Sequence, residues 1–255
     1  MLLACDIGNT NIKTGLFSDD KLIKRMLFNN IESVSSYLQS ISVEHIAISS
    51  VVPDLTKNIS ALSKDIKGIT PFVITKDTGF NLKISYDTPE TLGIDRLCSA
   101  EGAFYLFKNS EDYKNFHSGT YILSIDFGTA TTINIVSFPG EFTGGIIAPG
   151  ITMMFESLDS KTAQLPGVSE NQYSGFVGKN TASSIASGVI NSAVGSIKST
   201  INYLTSEMKA QELKIFITGG NAEKLIPYLD FEYNYIPELV LIGVRTIYEK
   251  SFPNK

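Results

Sequence analysis

The sequence of 255 residues contains few of the side chains on which metal centres and hydrolase triads depend. It has two cysteines, Cys5 and Cys98, and two histidines, His45 and His117. Two cysteines neither form a metal-binding pattern nor suggest a disulfide framework, so we expect buried free thiols in a cytosolic protein. Since no Ser-His-Asp pattern recruits the histidines, we expect structural or surface roles for them.

Long apolar runs and basic clusters are also missing. No run approaches the ~20 apolar residues of a membrane-spanning helix. The net charge is −5, and no basic stripe is present that would bind nucleic acid. Residues 1–6 contain no basic segment and reach an acid too early for a signal peptide. We therefore expect a cytoplasmic protein that binds neither membranes nor nucleic acid.

The familiar glycine-rich phosphate-binding motifs are incomplete. Gly178–Thr181 resembles the end of a P-loop, but Tyr173 stands where the first glycine belongs. No dinucleotide-binding glycine pattern follows the first predicted strand either. We therefore reject a P-loop NTPase.

One pattern does occur in the sequence, and it centres on Asp126. An apolar run ends at this aspartate, Gly128 and Thr129 follow, and a second β-rich run begins at once. The pattern predicts strand, tight turn, strand, in which Gly128 can take a turn conformation closed to other residues and lets another group approach the backbone. Such a turn can offer N–H groups and hydroxyls to a phosphate, while the aspartate holds a cation or its waters.

The same pattern occurs a second time, near the start of the sequence. Leu3–Thr10 has an apolar run, Asp6 at its end, Gly8 two residues later and then small polar residues. A β-hairpin with a polar tip would explain either copy alone. Two copies suggest a nucleotide held between duplicated domains.

The order of predicted elements supports this duplication. The first half predicts strands at 1–6, 11–17, 21–28, 45–52 and 71–75 and helices at 31–41, from 53, and within 91–108. The second half predicts strands at 121–126, 131–138, 142–147 and 214–218 and helices near 151–158, 181–208, after 222 and at 237–250. The polar stretch 109–119 is the best candidate linker. We predict an α/β protein of two duplicated ribonuclease-H-like (actin-like ATPase) domains, residues 1–112 and 113–255, with a cleft between them.

Two further segments contain candidate binding residues. Asp95 and Arg96 follow Gly93 at a predicted helix start. Asp95 there can complement the helix dipole, or it can orient a substrate hydroxyl beside an Arg fork for an anion. Gly219-Gly220 ends a strand where open α/β sheets bind ligands, so adenine or ribose could lie against the backbone. A simple strand-to-helix turn would explain the two glycines equally well.

Taken in order, these segments resemble the motifs of type III pantothenate kinase, in the superfamily of acetate kinase, sugar kinases, heat-shock chaperones and actin. The matching segments are Asp6–Thr10, Gly93–Arg96, Asp126–Thr132 and Thr218–Gly220. Smaller matches at Thr162–Pro166 and Gly178–Thr181 agree, and the resemblance spans nearly the whole chain.

The resemblance implies ATP-dependent phosphorylation of pantothenate to 4′-phosphopantothenate, the first step of coenzyme A synthesis. Asp95 would be the proton acceptor, Asp6 would lie near Mg²⁺ through water, and Asp126 would bind K⁺ or NH₄⁺. The implied ATP contacts are Asp6, Ile7, Gly8, Asn9, Thr10, Asn11, Ile12, Lys13, Thr129, Gly219 and Gly220. The implied pantothenate contacts are Tyr86, Gly93, Ile94, Asp95, Arg96 and Thr181.

The resemblance also implies a homodimer, with the pantothenate pocket completed near the subunit interface. A regulatory or binding homologue of the Bvg accessory factor type, without kinase activity, is the alternative. Intact Asp95 and Asp126 favour the enzyme, because a pure binding module would not need both. An ATP-driven chaperone or filament fits poorly, because the chain lacks the length for a separate peptide-binding domain.

Overall fold

A computed structural model describes residues 1–253, and over this range it contains eleven strands and seven α-helices. The strands are β1 (Leu2–Ile7), β2 (Ile12–Ser18), β3 (Lys21–Phe28), β4 (His45–Ser50), β5 (Phe72–Val73), β6 (Lys83–Ile84), β7 (Thr120–Phe127), β8 (Ala130–Ser137), β9 (Glu141–Pro149), β10 (Glu212–Thr218) and β11 (Asn234–Tyr235). The helices are α1 (Ile31–Ser40), α2 (Pro53–Lys67), α3 (Ile94–Lys108), α4 (Ile151–Lys161), α5 (Thr181–Ser206), α6 (Ala222–Leu225) and α7 (Leu239–Ser251).

These elements form two compact units that alternate along the chain. Unit 1 contains Met1–Phe116, Pro139–Gly144 and the residues from Glu238 onward, and unit 2 contains His117–Phe138 and Gly145–Pro237. The limits of the duplicated domains, residues 1–112 and 113–255, stay a prediction. The stretch proposed as a linker contains a short 3₁₀ helix, and the ring of Phe116 packs 5.0 Å from that of Phe107 on α3.

The sheet of unit 1 has the strand order β3-β2-β1-β4-β5. Strand β1 is buried along its whole length, pairs antiparallel with β2 and parallel with β4. Because its side chains alternate in direction, Leu3 and Cys5 pack in the cluster that contains residues of α1 and α2. Leu2 and Ala4 pack on the opposite face, with residues of α3 and α7.

Helices α3 and α7 approach each other closely because glycines lie at their contact. A Cβ atom on Gly102 would lie 2.2 Å from the carbonyl oxygen of Leu239, and one on Gly243 would lie 1.8 Å from that of Cys98. Neither position has room for any other residue. The contact fixes α3, which begins at Ile94 directly after its N-cap residue Gly93.

The sheet of unit 2 repeats the strand order of unit 1. The strands β9-β8-β7-β10-β11 of this six-stranded sheet follow that order, and β7 pairs antiparallel with β8 and parallel with β10, as β1 does with β2 and β4. Leu123 and Ile125 of β7 and Ile190 of α5 belong to one hydrophobic core. This repeat confirms the predicted fold class of two ribonuclease-H-like α/β halves.

Two short strands were not predicted. Strand β6 pairs in parallel with the first residues of β9, Lys83 with Glu141 and Ile84 with Phe142, all within unit 1. Strand β11 adds to β10 at the edge of the unit 2 sheet. No helix within residues 1–253 has the length and apolar character that crossing a bilayer requires.

Candidate active site

The turn between β1 and β2 places Asp6 beside a lysine. Asp6 is 7% exposed, and it lies opposite Lys13 on β2 and Ser49 on β4. The Lys13 Nζ atom is 3.9 Å from Asp6 Oδ2. The Gly8 amide donates to the Asn11 carbonyl oxygen at 3.0 Å, which closes the turn. The turn therefore exposes backbone and small polar side chains next to a carboxylate whose charge the lysine partly offsets.

In unit 2, the turn between β7 and β8 corresponds to the β1–β2 turn of unit 1. Asp126 is half-buried and lies opposite Thr132 on β8 and Thr218 on β10. The Gly128 amide donates to the Ala130 carbonyl oxygen at 3.1 Å, and Thr129 is exposed at the tip. A carboxylate and a hydroxyl thus accompany a tight turn, as the sequence predicted.

The three glycines of this region differ in what a side chain would meet. Gly128 does not have a left-handed backbone, and a Cβ there would crowd Asp126 Oδ1 at 3.2 Å. Gly219 does have a left-handed backbone, with φ of +103°, and a Cβ there would lie 2.5 Å from Asp126 Oδ1. A Cβ on Gly220 would meet nothing within 4 Å. Gly219 therefore packs against β7, whereas Gly220 leaves an open backbone face for a ligand.

Asn221 fastens the β7–β8 turn to the end of β10. Its backbone amide donates to the Phe127 carbonyl oxygen at 2.9 Å, and its Nδ2 donates to the Gly128 carbonyl oxygen at 3.2 Å. Its Oδ1 accepts from Thr152 Oγ1 on α4 at 3.3 Å. Asn221 was not among the predicted site residues, although its position directly after the glycine pair could have indicated it.

A second glycine supports the same turn from α4. The Gly150 amide donates to the Thr129 carbonyl oxygen at 3.0 Å. A Cβ on Gly150 would lie 2.4 Å from the carbonyl oxygens of Gly128 and Thr129. Only glycine fits this position, so the N-terminus of α4 packs directly against the β7–β8 turn.

The start of α3 brings several of the predicted substrate residues together. Asp95 is half-buried, and its Oδ1 accepts a hydrogen bond from the Arg96 amide at 2.8 Å. Arg96 is 6% exposed, with its guanidinium carbon 5.8 Å from the ring centre of Tyr86 and 5.7 Å from that of Phe142. Such contacts between a guanidinium and aromatic rings are attractive and fix the side chain in place. Phe142 was not predicted as a site residue.

The two thiols of unit 1 are buried, and carboxylates of the same unit act on them. Burial raises the pKa of Cys98 well above its usual value, a hydrogen bond with Ser49 opposes this, and the charges of Asp6, Glu101 and Asp95 add to it. Burial and the charge of Asp6 raise the pKa of Cys5 to about 12. The charges of Asp6 and Asp95 thus both act on the Cys98 thiol.

Thr181, another predicted pantothenate contact, lies in unit 2. It is exposed at the first residue of α5, directly after Asn180, whose Oδ1 caps the helix by accepting from the Ser183 amide at 2.9 Å. It borders a groove of about 860 Å³ between α4 and α5. Apolar side chains line much of this groove, namely Met153, Met154, Leu158, Leu165, Ile185 and Val189. Thr181 belongs to unit 2, whereas the other predicted pantothenate contacts belong to unit 1.

The acidic residues fit cations that are shared with a substrate. Within residues 1–253, no three side chains of His, Cys, Asp or Glu cluster closely enough to hold a metal ion unaided. Mg²⁺ commonly takes one or two carboxylates and completes its shell with water and substrate phosphates. Asp6 at the first turn suits that arrangement. Asp126, beside turn oxygens at the second, likewise suits a cation with oxygen ligands.

Comparisons with known proteins agree with this geometry. A family model described as type III pantothenate kinase matches residues 2–203. A type III pantothenate kinase from Persephonella marina is 34% identical over 262 residues, which cover 97% of this chain and 98% of that protein.

Solved structures match over almost the full length as well. A Baf family protein from Campylobacter jejuni has a TM-score of 0.61 at 24% identity, over 99% of this chain and 100% of its own. A ROK hexokinase from Thermus thermophilus has a TM-score of 0.50 at 13% identity, over 98% and 99%. At these identities the structural matches support the fold alone, while the sequence matches identify the family. The chain belongs to the type III pantothenate kinase family.

Proposed function

We propose that the protein uses ATP to phosphorylate pantothenate to 4′-phosphopantothenate, the first step of coenzyme A biosynthesis. The start of α3 is the observation that carries the proposal. It pairs a half-buried carboxylate, Asp95, with the guanidinium of Arg96, which contacts the rings of Tyr86 and Phe142. Pantothenate offers a primary hydroxyl for the carboxylate and a carboxylate for the guanidinium.

Asp95 would act by accepting a hydrogen bond from the substrate hydroxyl. Phosphoryl transfer depends on positioning and electrostatic stabilisation more than on prior deprotonation of the nucleophile. The carboxylate therefore aligns the hydroxyl oxygen with the γ-phosphate and takes the proton late in the transfer. Arg96, together with Tyr86, Gly93 and Ile94, holds the remainder of pantothenate.

We assign ATP to the two turns and the glycine pair. Residues 6–13 would bind phosphate oxygens through the exposed backbone of the first turn, with Mg²⁺ bound near Asp6 through water. Thr129 would contact phosphate from the second turn. Gly220 would take the adenosine on its open backbone face, with Gly219 supporting it from the packed side. Mg²⁺ would supply charge neutralisation to the phosphates.

We assign a monovalent cation, K⁺ or NH₄⁺, to Asp126. The side chain is half-buried and adjoins a turn whose backbone is held by Asn221 and Gly150. A weakly hydrated cation could offset the negative charge of ATP there without retaining its waters as tightly as a second Mg²⁺ would.

We further propose that the protein is a homodimer in the cytoplasm. The groove between α4 and α5 presents apolar side chains, which suits a second copy of this chain as its occupant. Thr181, at the border of this groove, would contact pantothenate near the interface. Free buried cysteines suit the reducing cytoplasm. The duplicated domains would span residues 1–112 and 113–255.

One assay tests the proposed activity. Purified protein is supplied with pantothenate, ATP, Mg²⁺ and K⁺, and ADP release is coupled to NADH oxidation. Pantothenate-dependent ADP release, with 4′-phosphopantothenate identified by mass spectrometry, is the expected result. A folded protein that releases no ADP in response to pantothenate would favour a binding homologue of the Bvg accessory factor type, which intact Asp95 and Asp126 do not favour.

A further inference from the structure

We propose that Glu101 is a positioning residue that fixes the segment 81–86, and with it Tyr86, against helix α3 for recognition of the acceptor substrate. The inference rests on the proposed function, because Tyr86 and Arg96 are there assigned to pantothenate. Glu101 itself would not touch substrate. It would act through the segment that it holds.

Glu101 is a fully buried carboxylate with both oxygens in use. It is 0% exposed, its Oε1 accepts from the Leu82 amide at 2.9 Å, and its Oε2 accepts from Asn81 Nδ2 at 3.0 Å. Burial raises the pKa of Glu101, and these two hydrogen bonds oppose the shift. A buried carboxylate is expensive, so its presence on an otherwise apolar helix face indicates a task that an apolar side chain could not perform.

Besides the Glu101 hydrogen bonds, the buried side chain of Leu82 and a hydrogen bond from Lys250 Nζ to the Phe80 carbonyl oxygen support that end of the segment. Strand β6 is only two residues long, and strands of this length are marginal by themselves. The Lys83 amide donates to the Gly140 carbonyl oxygen and the Ser85 amide to that of Phe142, both at 2.9 Å. The carboxylate of Glu101 therefore secures the entry to β6, and β9 secures its exit.

Tyr86 lies two residues after the end of β6. Its ring lies 6.1 Å from that of Phe142, in an edge-on arrangement, and the guanidinium of Arg96 contacts both rings. Arg96 and Glu101 belong to the same helix. Glu101 thus ties the Tyr86 segment to the helix that carries Asp95 and Arg96, and its loss should disturb substrate binding before it disturbs the chemical step.

Steady-state kinetics of Glu101→Leu and Glu101→Gln, measured on the full chain with ATP and pantothenate, test the proposal. Leucine removes both acceptors, so the KM for pantothenate should rise about tenfold or more, because small misplacements at a binding site are costly. The KM for ATP should stay within about twofold. Glutamine keeps an oxygen for the Leu82 amide and should recover most of the loss.

Lys83→Ala is the matched control on the same segment. Lys83 is 76% exposed and pairs with Glu141 at 2.7 Å, and an exposed pair of this kind contributes little. Its KM for pantothenate should change by no more than about twofold. Should Glu101→Leu fail to fold, Asn81→Ala removes one of the two hydrogen bonds and should raise the KM for pantothenate in the same direction.

Hydrogen exchange of the Leu82 amide gives a readout that does not depend on activity. Exchange should accelerate in Glu101→Leu and stay slow in Glu101→Gln. A folded Glu101→Leu protein with an unchanged KM for pantothenate, or one that loses kcat alone, would overturn the positioning role. A parent protein that does not phosphorylate pantothenate would refute the proposed function, and this inference with it; an active parent with an unaltered variant would refute this inference alone.

Discussion

Replacement of Asp95 with Asn distinguishes a catalytic carboxylate from one that only stabilises the first turn of its helix. In the structure Asp95 Oδ1 accepts from the Arg96 amide at 2.8 Å, and the Oδ1 atom of an asparagine can accept the same hydrogen bond. Asp95 lies in the first turn of α3, where loss of its charge removes only a favourable interaction with the helix dipole, so the free energy of unfolding should fall by less than about 1 kcal/mol. The charge and the proton acceptor are lost.

The expected kinetic result is a large loss of turnover with nucleotide binding preserved. Removal of a general base commonly costs about 10²–10⁴ in rate, and kcat for Asp95→Asn should fall within that range. Affinity for ATP should change little, because the residues assigned to ATP lie on the turns and at Gly219-Gly220. Single-turnover kinetics and a thermal melting curve, recorded on the same preparation, measure both effects.

Asp54 supplies a matched control for this substitution. Both aspartates are the second residue of a helix, α2 or α3, and both carry negative charge in its first turn. The side chain of Asp54 is 95% exposed and pairs only loosely with Lys57, at 3.7 Å. Asp54→Asn should therefore leave kcat unchanged. A folded Asp95→Asn protein with near wild-type turnover would refute the catalytic role of Asp95.

The other predictions concern the cation, the oligomer and the thiols. Potassium or ammonium should activate the enzyme, and sodium should activate it much less. Asp126→Asn should reduce the response to potassium. Full activity in sodium alone would contradict the cation site. Sedimentation at low micromolar concentration should give a dimer, since an obligate interface typically buries more than about 2,000 Å²; an active monomer would contradict it. Cys5 and Cys98 should resist a thiol reagent until the protein unfolds, because burial raises the pKa of both thiols and the thiolate is the reactive form; rapid labelling of native protein would refute this.

Local patterns predicted the main strands and the start of helix α3. Strand β3 occupies 21–28, the predicted range, and α3 begins at Ile94, directly after Gly93. These features are predictable because apolar runs and the glycine or proline residues that end them are local signals, contained within a few residues of sequence. The pairing of Asp6 with Asp126 as equivalent positions was predictable for the same reason, because both follow the same short pattern.

Contacts between distant parts of the chain were not predictable in this way. Strand β6 is two residues long, and Lys83 meets its partner Glu141 58 residues later. The roles of Glu101 and Asn221 likewise depend on which backbone groups the fold brings to them. The close approach of Gly128 to the Asp126 side chain also depends on the folded geometry, which the sequence spacing does not show.

The membership of α7 in unit 1 has a consequence for how the protein is made. Helix α3 requires α7 at Gly102 and Gly243, yet residues 109–238 lie between the two helices in the chain. A ribosome needs on the order of ten seconds to add that many residues. Throughout this interval the helix that carries Asp95 lacks the surface of α7 that buries it. The strands and the long helix of unit 2, by contrast, follow one another along the chain. Unit 1 is therefore the part of the nascent chain that most needs protection from aggregation.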